Sequence, residues 1–146
     1  MNSPHIKIQT NPINRLIWLV GGDILVLLLF VWVGRSSHSL PAGDIPALLM
    51  VAAPFLISWF LLSPWFGLFR ADVTQSWQKF VPRILGVWLI GGPLAGLLRA
   101  LFLGRPIPEG IIPTFVVVTM VVGSLFMLVW RLGYSWAIKR TRPTDL

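Results

Sequence analysis

The chain has 146 residues, 55% of them hydrophobic and 12% charged, and a formal net charge of +7; its mean hydropathy is +0.78. A water-soluble fold needs a polar surface that this composition cannot supply, so the sequence reads as one domain held in a bilayer. There is no Cys, which excludes disulfides, thiol chemistry and Cys-based metal sites.

In a soluble chain so basic a balance would suggest nucleic acid as a partner. Here Lys and Arg sit at the ends of apolar runs, where they anchor to lipid phosphates and set topology. The expected partner is the lipid bilayer, and no nucleic acid is expected.

Residues 1–14 form a polar N-terminal segment containing Pro4 and Pro12. A first spanning helix is predicted over about 15–34; the run needs ~20 residues at ~1.5 Å each, which it supplies. Its apolar stretch, Leu16 to Val33, is longer than the ~7–15 residues of a signal-peptide core and lacks an A-x-A-like exit, so it reads as a retained helix. Ser36 to Asp44 is turn-rich, and Asp44 makes an N-cap for a second helix over about 45–69. Pro54 and Pro64 inside that run predict kinks, because each removes a backbone donor.

The segment from Arg70 to Arg83 is the one long polar connection, and Trp77, Lys79 and Phe80 suit a piece lying among headgroups. A third spanning helix is predicted over about 84–103, a tight loop over 104–110, and a fourth helix over about 111–136. A basic tail, 137–146, closes the chain.

The first and third helices repeat one another at an offset of seventy positions. Trp18-Leu19, Gly21-Gly22, Leu27-Leu28 and Gly34-Arg35 recur as Trp88-Leu89, Gly91-Gly92, Leu97-Leu98 and Gly104-Arg105 without a gap. The echo continues faintly in Ile45-Pro46 with Ile112-Pro113, and in the shared spacing of Trp59 and Trp65 with Trp130 and Trp136. The fold class expected is therefore an all-α integral membrane bundle of four transmembrane helices, built as two parallel helical-hairpin repeats. Nine Lys and Arg flank one set of boundaries and two the other, which predicts both termini in the cytoplasm and a location in the inner membrane.

Asp23 is the first residue that could carry chemistry. It lies about eight residues into its helix, roughly 12 Å along the axis. An acid deep in hydrocarbon costs ~2.5–3.5 kcal/mol, so it must face the bundle and find a partner, or be neutral. Arg131 on the fourth helix lies at a matching depth and completes a candidate intramembrane ion pair. Such a pair can be a proton or substrate site, or a purely structural tie.

A candidate outer polar cluster comprises Arg35, His38, Arg99 and Arg105, with Glu109 close by. Guanidiniums facing one crevice attract carboxylate or phosphate; the alternative is that Arg35 and Arg105 snorkel to headgroups. Gly21, Gly22, Gly92 and Gly96 are candidate helix-packing positions, the last two forming a GxxxG pair. Trp18, Trp65, Trp77 and Trp136 suit one membrane interface and Trp32 the other. Trp59, Trp88 and Trp130 lie deeper, where they either pack or flank a flat ligand such as a pigment or quinone. No cofactor follows from this. His5 and His38 cannot make a metal-binding helix motif, no catalytic spacing is present, and no enzyme activity is expected.

Gly22-Asp23, Gly34-Arg35-x-x-His38, Pro54-Phe55…Trp59, Leu98-Arg99-Ala100 and Trp130-Arg131 together resemble a bacterial family of small four-helix membrane proteins catalogued as domain of unknown function 3054. The resemblance runs from about Asp23 to Arg131. It implies a four-helix integral membrane protein and no particular activity. Two functions stay open: a carrier or channel-like unit for a small anionic solute, or an accessory subunit docking on a larger membrane complex. Either admits a homo-oligomer.

Overall fold

The computed structural model describes residues 11–41 and 43–141, and among them the regular structure is helical throughout. The polar segment expected over 1–14 therefore lies outside the described residues up to position 10, as does the tail after Thr141.

Helix α1 runs Pro12–Ser37, three residues earlier than the expected start. The side chain of Asn11 accepts the Ile13 N–H at 3.1 Å, and Pro12 sits where its missing donor costs nothing. Helix α2, Ile45–Leu62, starts as expected: Asp44 accepts the Ala47 N–H at 3.1 Å, and Pro46 lies in the first turn.

The end of α2 differs from expectation. It stops at Leu62 rather than near 69, because Pro64 cannot donate to the helical ladder. The chain folds into successive turns instead, with Leu68 N–H on Ser63 O at 3.1 Å and Gly67 N–H on Pro64 O at 2.9 Å. Gly67 has φ +65°, a conformation that suits glycine.

The connection after these turns is also shorter than expected. A single turn, α3, spans Ala71–Thr74, and α4 already begins at Trp77 and runs to Phe102. Pro82 lies inside α4, near enough its N-terminus that only one ladder bond is lost. Helix α5 spans Pro113–Thr141 and outlasts the expected end at 136.

Four of the five helices, α1, α2, α4 and α5, are long and apolar enough to cross a membrane. They form a ring in which α1 and α4 each pack on both α2 and α5, while α3 leans on α4. Large apolar side chains cover the outside, among them Leu25, Leu89, Val121 and Val129, as hydrocarbon rather than water would require.

The interior is aromatic. Phe30 of α1 meets Phe55 of α2 edge-on at 5.3 Å between centroids, Phe126 of α5 at 5.9 Å and Trp88 of α4 at 6.3 Å. One ring thus touches every other long helix. Leu19, Gly22, Asp23, Leu27 and Val31 share the buried face of α1, at spacings of three and four residues. That face puts an acid in the core.

Candidate functional site

Because Asp23 falls on the same stripe as Leu19 and Leu27, α1 cannot bury its apolar face without burying the carboxylate. Arg131 lies four residues after buried Met127 and four before buried Ser135, so α5 turns the guanidinium inward for the same reason. Asp23 is 0% and Arg131 1% exposed. The two meet in a fork: Nη2 donates to Oδ2 at 2.6 Å and Nε to Oδ1 at 3.1 Å. This bidentate geometry is the strong form of the pair.

Two indoles complete the set. Trp59 Nε1 of α2 donates to Asp23 Oδ2 at 3.0 Å, and Trp130 Nε1 of α5 donates to Oδ1 at 2.9 Å. Each carboxylate oxygen therefore accepts two hydrogen bonds, and the ~four lone-pair directions of the group are filled. Arg131 is held further by its Nη1, which donates to Leu68 O at 2.9 Å, and by the Phe69 ring, 5.4 Å from Cζ. The non-helical turns after α2 thus have a structural use: they present a free backbone carbonyl to a buried cation. Trp88 of α4 backs the group by packing on Trp59, with centroids 6.1 Å apart. Every long helix takes part.

Desolvating two ions costs several kcal/mol each, and only good geometry with further hydrogen bonds offsets it. That explains why so many donors converge here. The chemical capability of the site is correspondingly narrow. The four hydrogen-bonding directions of the Asp23 carboxylate are all taken up by donors of the protein itself.

The polar residues at the opposite end are not assembled. Arg35, 9% exposed, donates from Nη2 to Pro41 O at 3.0 Å, while its buried Nε has no hydrogen-bond partner among the described residues. His38 caps the end of α1 and is exposed. Arg99 lies over the Phe115 ring, its Cζ 4.5 Å from the centroid. Arg105 and Glu109 are exposed in the loop. Among the described residues no hydrogen bond or ion pair joins any two of these five, and no group of three His, Asp or Glu side chains could hold a metal.

The glycines divide. A Cβ at Gly22 would overlap the Trp130 indole, one at Gly92 would overlap Met120, and one at Gly96 would lie 2.8 Å from Val116. Gly21 has nothing within 4 Å, so the packing role expected of it is not seen. Missing from the sequence-based set are the donors Trp59 and Trp130 and the acceptor Leu68 O. The signal for the indoles was the N–H itself, which needs a partner once it is deep in apolar surroundings. Gly123 was also missed, and it makes room for Trp88.

The chain belongs to the family described as "Protein of unknown function (DUF3054)", whose pattern it matches over residues 20–134. The matched stretch includes all four residues of the buried group: Asp23, Trp59, Trp130 and Arg131. No curated protein and no solved structure matches it.

Proposed function

We propose that this member of the family is an accessory subunit: a compact membrane module that docks on a larger complex, with the Asp23–Arg131 group as its internal clamp. The observation that carries this reading is the saturation of Asp23. A carboxylate that accepts four hydrogen bonds at zero exposure suits a fixed tie between helices. A transport site has to exchange its partners during turnover.

Other features favour the same reading. Trp59 and Trp88 pack on each other, and the gap beside them is too narrow for a water molecule. Packing then accounts for the deep indoles without a pigment or quinone. The ring of helices is compatible with two hairpins arranged about an axis along the membrane normal, in keeping with the duplicated glycine pattern. The Lys and Arg distribution supports an inner-membrane protein with both termini in the cytoplasm.

A carrier for a small anionic solute is the second reading, and Arg99 favours it. Its guanidinium is only half-buried and has a ring rather than an acid beneath it.

Purification of the tagged protein at native expression in mild detergent separates the two. Co-purification of a larger membrane complex at fixed stoichiometry is the expected result. A homo-oligomer that carries solute flux after reconstitution, with flux lost in Asp23→Asn, would overturn the docking reading.

A further inference from the structure

Between the start of α1 and the turns after α2 the surface opens into a groove of about 470 Å³. That volume is within the range of small-molecule sites. Ile13, Leu16, Pro64 and Phe69 give it an apolar wall, and Arg15 and Arg70 stand at its polar lip. Arg83 joins them, its Nη1 lying 3.3 Å from where a Cβ on Gly67 would be.

The charges here are unbalanced. Arg70 Nε and Lys79 Nζ share the carboxylate of Asp72, at 3.2 Å and 3.3 Å, while among the described residues Arg15 and Arg83 are bonded to no acid. The hydrogen bond from Lys79, and after it Arg70, holds that carboxyl below its ordinary range, so it stays charged. Arg15 and Arg70 line the groove, and among the described residues no carboxylate lines it with them. Among the described residues Arg15 gives one N–H to Thr74 and Arg70 one to Asp72, out of the five each guanidinium carries.

The depth of the groove says what kind of anion it meets. Exposed indoles ring this end of the bundle: Trp18, Trp65, Trp77 and Trp136, with Trp65 at 85%. Such a belt marks the headgroup level. Apolar side chains beside guanidiniums, at the level of this belt, complement an amphiphile that carries a phosphate and acyl chains.

We infer that this groove is a binding site for one anionic phospholipid, with its phosphate on Arg15 and Arg70 and its glycerol and upper chains against Leu16 and Phe69. The site touches the clamp: Phe69 lies under Arg131, and the adjacent Leu68 carbonyl accepts its Nη1. An occupant that fixes this turn therefore also fixes the seat of the buried cation. The inference does not depend on whether the module docks or transports.

The test uses the full chain, stripped of lipid in mild detergent, with bound lipid counted by native mass spectrometry and melting followed in parallel. Phosphatidylglycerol is expected to bind one per chain and raise the melting temperature, with phosphatidylcholine doing neither. The Arg15→Gln/Arg70→Gln variant should bind it roughly thirty-fold more weakly. Leu16→Trp, a change at an exposed position that leaves the charges alone, should also weaken it by filling the groove. Lys139→Gln/Arg140→Gln should bind as the parent does. Equal binding of phosphatidylcholine, or an equal loss in the Lys139/Arg140 variant, would overturn the site as a lipid-specific one. Displacement of the lipid by millimolar inorganic phosphate would overturn the lipid as its ligand.

Discussion

The Trp130 indole occupies the space where a side chain at position 22 would begin, and its N–H reaches the carboxylate of Asp23, the next residue along. The absent side chain at Gly22 is thus a condition for one of the four hydrogen bonds on the acid. Gly22→Ala should push the ring off, break that bond and lower stability by roughly 1–3 kcal/mol. Gly21→Ala, with open space around it, should be neutral or gain up to ~0.5–1 kcal/mol from helix propensity. Melting curves of the two variants in mild detergent check the contrast. Equal losses would mean that the indole is free to move.

The ion pair itself should behave as a unit. Asp23→Asn leaves Arg131 buried without its anion, and Arg131→Gln leaves the acid with two indoles alone. Each should cost about 3–5 kcal/mol, and the double variant should cost less than the two together. A double-mutant cycle of unfolding free energy measures the coupling, and additive losses would show that the two groups do not depend on each other.

Two buried polar atoms have no partner near this network: Ser58 Oγ and Trp88 Nε1, both beside the narrow gap between α2 and α4. Removing an unsatisfied hydroxyl that already bears its desolvation cost should help or do nothing, so Ser58→Ala should change stability by between zero and about +1 kcal/mol. A loss above ~1 kcal/mol in the same melting assay would mean the hydroxyl has a partner.

The absence of cysteine makes topology testable with single introduced thiols. Ser37→Cys and Glu109→Cys lie at one end of the bundle, and Gln78→Cys and Arg140→Cys at the other; all four positions are exposed. In intact cells an impermeant maleimide should label the first pair at once and the second only after lysis. The reverse pattern would place both termini outside.

The four spans are legible in the sequence because hydrocarbon thickness imposes a length and an apolar composition that little else produces. Asp23 and Arg131 are legible too: two opposite charges at similar depth in apolar runs have few other ways to be tolerated. Proline misleads in both directions. Pro64 ends α2 while Pro54 stays within it, and Pro82 does not stop α4 from starting at Trp77. What decides is how many ladder bonds each ring removes and whether turns can follow, and local sequence does not express that.

The depth of the indoles was legible and their partners were not. Trp18 and Trp88 each precede a Leu and stand seventy positions apart, yet the first is 72% exposed and the second 4%. The difference lies in the neighbours: α5 offers Gly123 to Trp88 and nothing comparable to Trp18. Two of the outer arginines have local partners, a carbonyl for Arg35 and a ring for Arg99.

The clamp also has a history in time. Asp23 and Arg131 are 108 positions apart, which at ~5–20 residues per second is an interval of about 5–20 s between making the acid and making its counter-ion. Of the described helices, the last to leave the ribosome carries the counter-ion for the acid of α1. During the wait the acid has only the Trp59 indole to lean on, so the nascent chain passes into the membrane with its acid unpaired. A chain that stops before position 131 never gains that partner, and the unpaired acid distinguishes the unfinished chain from the finished one.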